Sequence, residues 1–541
     1  MTQQHSRPQW WRDAVIYQIY PRSFMDANGD GIGDLAGITA RLDYLEALGV
    51  DALWLSPFYR SPQADAGYDV ADYRDIDPLF GTLADFDRLL AGAHERGIRM
   101  IVDLVPNHSS SAHVWFQEAL AAPPGSRARA RYFFRDGQGE QGELPPNNWQ
   151  SIFGGPAWTR VDDGQWYLHM FDSSQPDFDW RNPEIGDEFE QVLRFWLERG
   201  VDGFRVDVAH GMIKQAGLPD WDGEQVMVEG GNRGPMWDQD EVHDIYRRWH
   251  RVLAEYGGDR MMVAEAWLRP ERVVRYIRPD EMQQAFNFDY LIARWDAAAL
   301  REVIDRSLAV TAQVGATTTW VMSNHDGVRH ASRLGLSNPG ARPQKIGIDD
   351  EQPDEALGLR RARAIIMLTL ALPGSAYLYQ GEELGLPDHT TMPDHYRQDP
   401  GFFRPGGEDG GRDGCRVPLP WQAEGPAFGF NTSGERWLPQ PDHYARYAVD
   451  CQLGRPETTL TLYQRLLEVR RDQRLGMGEL AWEPNPREDV LMLTNGDLRV
   501  VLNLGERPIA LPAGRPLVQS HPEALANSML AGNAAVWLTT R

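Results

Sequence analysis

The octapeptide Val201-Asp202-Gly203-Phe204-Arg205-Val206-Asp207-Val208 decides how this chain is read. Apolar residues dominate it, and Arg205 and Asp207 lie two residues apart. In a strand, side chains at i and i+2 leave on the same side. Arg205 and Asp207 therefore stand together at the end of an otherwise buried β-strand. Burying a charge is costly unless it is paired or used. Two readings satisfy this: a structural ion pair, or an active-site carboxylate held ionised by the neighbouring guanidinium. The octapeptide alone leaves both open, and the rest of the chain chooses.

Seven other stretches share its character, at residues 14–20, 51–57, 99–105, 261–266, 285–288, 318–322 and 376–379. Between them, residues 35–48 carry Leu42, Leu45 and Leu48 on one helical face with Gly49 as a stop, and residues 81–94 also read as a helix. Strand, helix and strand at this spacing imply a parallel sheet, and eight such units imply a (β/α)8 TIM barrel. Roughly a hundred residues separate Val105 from Val201, far more than a βα connection takes. Rich in Pro, Gly, Asn and aromatics, as in Pro145-Pro-Asn-Asn-Trp149, that stretch reads as a small domain inserted after strand 3. After an amphipathic helix at 460–474, the stretch 490–503 alternates around Asn495-Gly496, a hairpin signal. The tail therefore reads as a C-terminal antiparallel β-sandwich. The predicted division is 1–105 and 177–474 for the barrel, 106–176 for the insert and 475–541 for the tail.

The 541 residues are 42% hydrophobic and 24% charged, as in soluble globular proteins. A formal charge of −24 argues against a nucleic-acid partner, which needs clustered Lys and Arg. Two cysteines, Cys415 and Cys451, build neither a disulfide framework nor a four-cysteine zinc site. Residues 1–20 carry Trp10-Trp11-Arg12-Asp13 where a leader needs an apolar run, and the apolar run at 364–372 is too short to span a membrane. The expectation is a cytoplasmic protein, a monomer or small homo-oligomer, with no membrane or nucleic-acid partner.

Catalytic groups of a barrel sit at the carboxyl ends of its strands. Those ends read Asp103-Leu-Val-Pro-Asn107-His108, Arg205-Val-Asp207, Val263-Ala-Glu265-Ala-Trp267 and Ser323-Asn324-His325-Asp326. Carboxylates on separate strands at one level are hard to explain by packing. Two carboxyls across a cleft suit glycoside hydrolysis. A metal-dependent hydrolase would want clustered histidines or a pair at helical spacing, whereas these are solitary. Nineteen tryptophans supply platforms for sugar faces. Separately, Asp26, Asn28, Asp30, Ile32 and Asp34 alternate with Gly31 at the sixth position, the spacing of a calcium loop without its twelfth-position acid. Side-chain oxygens so closely set repel one another unless a cation intervenes. Ca²⁺ is the expected ion and Mg²⁺ the alternative; the plainer reading is an Asp/Gly-rich turn.

These motifs, with Tyr20-Pro-Arg-Ser-Phe24, Gly67-Tyr68-Asp69, Gln175-Pro-Asp177 and Tyr379-Gln-Gly-Glu-Glu383, resemble glycoside hydrolase family 13, the α-amylase family, in its oligo-1,6-glucosidase and α-glucosidase branch. The resemblance implies Asp207 as nucleophile, Glu265 as acid/base and Asp326 as the third carboxylate. It implies a separation of about 5–5.5 Å between Asp207 and Glu265, and hence retention of configuration. On the same basis Arg205 keeps Asp207 ionised while Glu265, among apolar neighbours, holds its proton. Tyr68, His108, His325 and Phe171 belong to the glucose pocket. Asp69 and Arg412 resemble the pair that grips the 4-hydroxyl and makes the enzyme exo-acting. The family also places a metal at Asp26, Asn28, Asp30, Ile32 and Asp34. Val208, after the nucleophile, goes with α-1,6 preference in this branch, while Ala209-His210-Gly211 departs from the α-1,6 pattern and leaves the linkage open. Residues 215–237 read as a loop on the leaving-group side, and those near 388–412 as a cover to the pocket. The expected activity is release of glucose from short, maltose-like or isomaltose-like α-glucosides through a glucosyl-aspartate, with transglucosylation as a side reaction. The rivals are a sucrose isomerase or glucosyltransferase using the same site, and a non-catalytic sugar-binding or transporter-associated chain, which would need none of these acids.

Overall fold

Eight short apolar strands assemble in one parallel sheet: β1 (Val15–Ile19), β2 (Ala52–Leu55), β3 (Arg99–Leu104), β4 (Gly203–Val206), β5 (Met261–Ala264), β6 (Gln284–Ala285), β7 (Thr319–Val321) and β8 (Ser375–Tyr379). The computed structural model describes residues 9–223, 231–339, 346–403 and 411–540. Around the sheet the order is β6-β5-β4-β3-β2-β1-β8-β7, so consecutive units are neighbours and the ends curl toward each other as a (β/α)8 barrel. No ladder joins β6 to β7 among the described residues. The Thr319 hydroxyl, which donates to the Ala285 carbonyl, spans that seam.

The helices follow the apolar periodicity. Leu83–Glu95 starts on a capping box in which Thr82 and Asp85 bond each other's backbone, and buries Phe86, Leu89, Leu90 and Ala93. The run predicted at 35–48 breaks at Arg41 into Leu35–Ala40 and Leu42–Leu48, and Gly49 closes it at φ 93° as a left-handed cap. The apolar run at 364–372 belongs to helix Glu355–Ala371, which buries nearly its whole circumference between the barrel and the C-terminal sheet. No described helix is long and apolar enough to cross a membrane. The first eight residues, part of the start read for a leader, lie outside the described residues.

Between β3 and β4 the chain leaves the barrel and forms a small antiparallel sheet of Phe134–Asp136, Gln165–Leu168 and Trp158–Arg160. It returns where Asp177 bridges His108 and Phe178 bridges Tyr132. At the other end, a five-stranded antiparallel sheet and a three-stranded one enclose Val490, Met492, Val501, Ile509, Leu530 and Val536. The hairpin of that domain pairs Asn495 with Leu498, so Gly496 and Asp497 form its two-residue turn. Both cysteines are free thiols.

Candidate active site

Strand register brings the acids together. Val206 pairs with Leu104 on one side and with Ala264 on the other. The residues that follow Val206 and Ala264, Asp207 and Glu265, are thereby level, and the ladder continues as Asp207 N–H donates to Leu104 and Glu265 N–H to Val206, each at 2.9 Å. Asp103 pairs with Arg205 across the same ladder. Arg205, 2% exposed, reaches three carboxylates: Asp207 Oδ1 at 2.5 Å, Glu265 Oε2 at 2.6 Å and Asp103 Oδ1 at 2.9 Å. The predicted ion pair is thus the centre of a fan.

That fan changes the electrostatics expected from sequence. Burial pushes Asp207 well above the usual carboxylate range, with Glu265 and Asp103 adding to it, although Arg205 pulls the other way. Burial likewise pushes Asp103 up to about 7 against Arg205. One guanidinium is thus shared among three acids, and at Asp207 it acts against burial and two like charges.

The turn after β4 is strained. Val208 has φ 45°, a left-handed conformation that costs a β-branched residue roughly 1–3 kcal/mol. The strain has a visible effect: the Val208 N–H donates to Glu265 Oε2 at 3.1 Å. Trp267 Nε1 donates to Glu265 Oε1 at 3.2 Å, its indole stacked 3.7 Å from the Phe288 ring. Both oxygens of Glu265 are therefore oriented by donors from different strands. The Val208 side chain faces an apolar cluster with Trp149, Trp158, Met170 and Trp237, against which Phe171 also packs.

Asp326 is held differently. Arg412 Nη1 and Arg416 Nη2 meet its Oδ1 at 2.9 and 3.0 Å. Burial acts to raise Asp326, but His325, Arg412 and Arg416 outweigh it and hold the carboxyl below the usual range. Burial drives His325 well below its ordinary value, so the imidazole is neutral and the two guanidiniums carry the effect. Gln18 Nε2 lies 2.7 Å from His325 Nδ1 and Tyr68 Oη 2.6 Å from Nε2. An amide donor on Nδ1 leaves the proton on Nε2. Tyr68 passes its own proton to Asp103 at 3.1 Å.

One predicted partnership is corrected. Arg412 pairs with Asp65 at 2.7 Å and not with Asp69. Asp69, fully buried, accepts from the Ser61 hydroxyl at 2.8 Å and from the amides of Ala64 and Asp65, each at 3.0 Å, and so builds the loop that presents Asp65. Asp399, 2.5 Å from Arg412 Nε, completes the cluster, its carboxyl pulled down to about 2 by Arg412 and Arg416 despite burial. Asp65, Asp399 and Arg416 were missed in the sequence, although Arg416 lies only four residues beyond Arg412. The His108 and Phe171 rings lie 5.2 Å apart on the adjacent wall. Described residues of the predicted 215–237 loop dock on the insert, through Trp149 Nε1 to Pro219 O at 2.8 Å and Asn147 Nδ2 to Leu218 O at 3.0 Å. The remainder of that loop, residues 224–230, and residues 404–410 of the predicted cover lie outside the described residues.

The five predicted metal ligands are all hard oxygen donors. In the structure they serve turns: Asp26 accepts from Gly29 and Gly31 N–H, Asn28 from Asp30 N–H, Asp30 from Ile32 N–H. Asp34 accepts from Ala27 and Asn28 N–H and caps Leu35–Ala40 through Gly37 N–H at 2.6 Å. Among the described residues no three His, Cys, Asp or Glu side chains converge as a metal-holding group. Donor chemistry fits a hard cation, and no converged acidic cage forms among the described residues.

A profile of the α-amylase catalytic domain matches residues 18–478. The chain belongs to the α-amylase family. Its relatives in that family include an oligo-1,6-glucosidase of Parageobacillus thermoglucosidasius, 33% identical over 92% of this chain and 91% of the relative. An α-glucosidase of Pediococcus pentosaceus is 34% identical over 96% of this chain and 97% of its own length. Among solved structures, the α-glucosyl transfer enzyme XgtA superposes with a TM-score of 0.85 at 36% identity, covering 99% of this chain and all of that one. The likeness to XgtA thus takes in the C-terminal sheets as well as the barrel.

Proposed function

We propose that the protein is an exo-acting, retaining α-glucosidase that removes the non-reducing terminal α-glucosyl residue of short α-glucosides. One observation carries this reading: a single buried guanidinium, Arg205, holds Asp207 and Glu265 side by side at the barrel mouth. A retaining mechanism needs two carboxyls sharing one proton, one to attack and one to donate. The proton of the pair goes from Glu265 to the glycosidic oxygen as Asp207 attacks the anomeric carbon. The C–O bond to the leaving group breaks and a glucosyl-aspartate forms. Glu265, now ionised, takes a proton from water, whose oxygen releases glucose and restores Asp207. Asp326, kept ionised by Arg412 and Arg416, binds two adjacent hydroxyls and favours the flattened ring. Exo action is supported by the Arg412–Asp65 pair, which blocks the pocket beyond the terminal sugar.

Glucosyl transfer, including sucrose isomerisation, is the second reading. It is favoured by the apolar wall of Val208, Trp237 and Phe171, which disfavours water near the intermediate, and by the likeness to a glucosyl transfer enzyme. Product analysis with maltose, isomaltose, sucrose and trehalulose, beside an Asp207→Asn control, separates them. Free glucose from one or more substrates is expected. An isomer without glucose would replace the hydrolase reading, and full activity in the control would remove Asp207 as nucleophile. The Asp26–Asp34 loop is further proposed to bind Ca²⁺ or Mg²⁺ as a brace remote from the chemistry.

A further inference from the structure

Lysine is rare in this chain. Its 541 residues contain two, Lys214 and Lys345, and arginine supplies every other permanently cationic side chain. Lys345 lies outside the described residues. Lys214 is wholly buried, as is its ion-pair partner Asp177, whose Oδ2 lies 2.7 Å from Nζ. Nζ also donates to Asn107 Oδ1 at 2.8 Å and to the Gly211 carbonyl. An ammonium has three donors, and three oxygens surround it here, two accepting hydrogen bonds and the third pairing with its charge. A planar guanidinium with five donors would not fill so compact a pocket without leaving N–H groups unpaired. The lysine is thus a choice of shape and not only of charge.

The three oxygens come from three separate segments. Asn107 follows β3, and Gly211 lies in the turn after β4, four residues beyond Asp207. Asp177 lies where the insert returns to the barrel, bridging the His108 backbone. Asn107 turns this anchoring into chemistry. With its Oδ1 committed to the ammonium, its Nδ2 faces His108 Nδ1 at 3.1 Å. Nδ1 must then accept, and the proton of the neutral ring sits on Nε2, which donates to the Tyr68 carbonyl at 3.1 Å. The Gln175 amide nitrogen approaches Nε2 at 3.2 Å but has Asp65 as its own acceptor at 3.1 Å.

We propose that Lys214 is a positioning residue: a cation built into the chain that, through Asn107, fixes His108 in the Nε2–H tautomer at the wall of the glucose pocket and ties the insert to the turn carrying Asp207. The inference rests on the glucoside-pocket reading, and its test is arranged so that the two can fail separately. The first measurement needs no substrate. Side-chain ¹⁵N NMR of histidine-labelled protein, with His108 assigned by a His108→Gln variant, should show the Nε2–H tautomer; Nδ1–H in the wild type would overturn the proposal.

The second measurement uses kinetics on p-nitrophenyl α-glucoside. Lys214→Met should raise KM about tenfold with a smaller change in kcat, the size of one hydrogen bond lost from the pocket wall that carries His108. Lys214→Ala should regain activity with millimolar ethylammonium chloride, while Lys214→Arg should not match the wild type. A lowered melting temperature with unchanged KM in Lys214→Met, or full activity in Lys214→Arg, would reduce Lys214 to a structural role. If the wild type cleaves no α-glucoside, the functional reading fails while the tautomer result still stands or falls alone.

Discussion

Arg412, carried by the loop beyond β8, meets Asp65 of the loop beyond β2 at 2.7 Å, while Asp69 turns its carboxylate back into its own loop. The two acids, four residues apart in sequence, therefore have separate tasks. Asp65→Asn should lower kcat/KM by about 10- to 100-fold, the value of a charge-assisted hydrogen bond to the sugar, with a small change in melting temperature. Asp69→Asn should lower the melting temperature and leave KM near the wild-type value. Paired thermal and kinetic measurements decide it, and the reverse pattern would restore Asp69 to the sugar.

Glu265 is held by Val208 N–H and Trp267 Nε1 at distances set by two strands. Glu265→Gln should reduce turnover of maltose by about 10²- to 10⁴-fold, the usual share of a general acid. It should spare substrates with acidic phenol leaving groups in their first step, seen as a burst of phenol in rapid mixing. Equal losses on both kinds of substrate would deny Glu265 the proton-donor role.

Glu382, 3% exposed, follows β8, with Oε1 accepting no hydrogen bond among the described residues and His330 Nδ1 3.6 Å from it. Burial pushes its carboxyl up to about 8 from an ordinary 4.5. A raised folded-state value means that its stabilising contribution is full below 4.5 and is lost as pH rises through about 8. Glu382→Gln, which cannot ionise, should therefore gain in melting temperature relative to wild type as pH goes from 5 to 9 (a range of roughly four units set by that linkage). A constant difference across the range would show that Glu382 does not titrate there.

The loop of Asp26, Asn28, Asp30, Ile32 and Asp34 is closed by its own backbone N–H groups. If it binds Ca²⁺ as proposed, an ion at hundredfold excess over its Kd adds about 2.7 kcal/mol to stability. Chelation should then lower the melting temperature by a few degrees, restored by Ca²⁺ and abolished in Asp30→Ala. No shift on chelation, with no metal by elemental analysis, would leave the loop as a hydrogen-bonded turn.

The sequence by itself determined the barrel and the level of its acids. Strand character, period and order are local properties, and the carboxyl end of a parallel strand is one place whatever the helices do. Asp207, Glu265, Asp326, His108 and His325 were readable as a set because each closes an apolar run. Tertiary structure alone decided the partners. That Arg412 takes Asp65 over Asp69, that Arg205 serves three acids at once, and that Lys214 fills a pocket of three oxygens all depend on segments distant in sequence, as far as 347 residues for Arg412 and Asp65. The proton balance of Asp207 belongs to the same class. Sequence shows one guanidinium beside one carboxylate, whereas in the fold burial and two added carboxylates act against it, because desolvation and charge are summed in space and not along the chain.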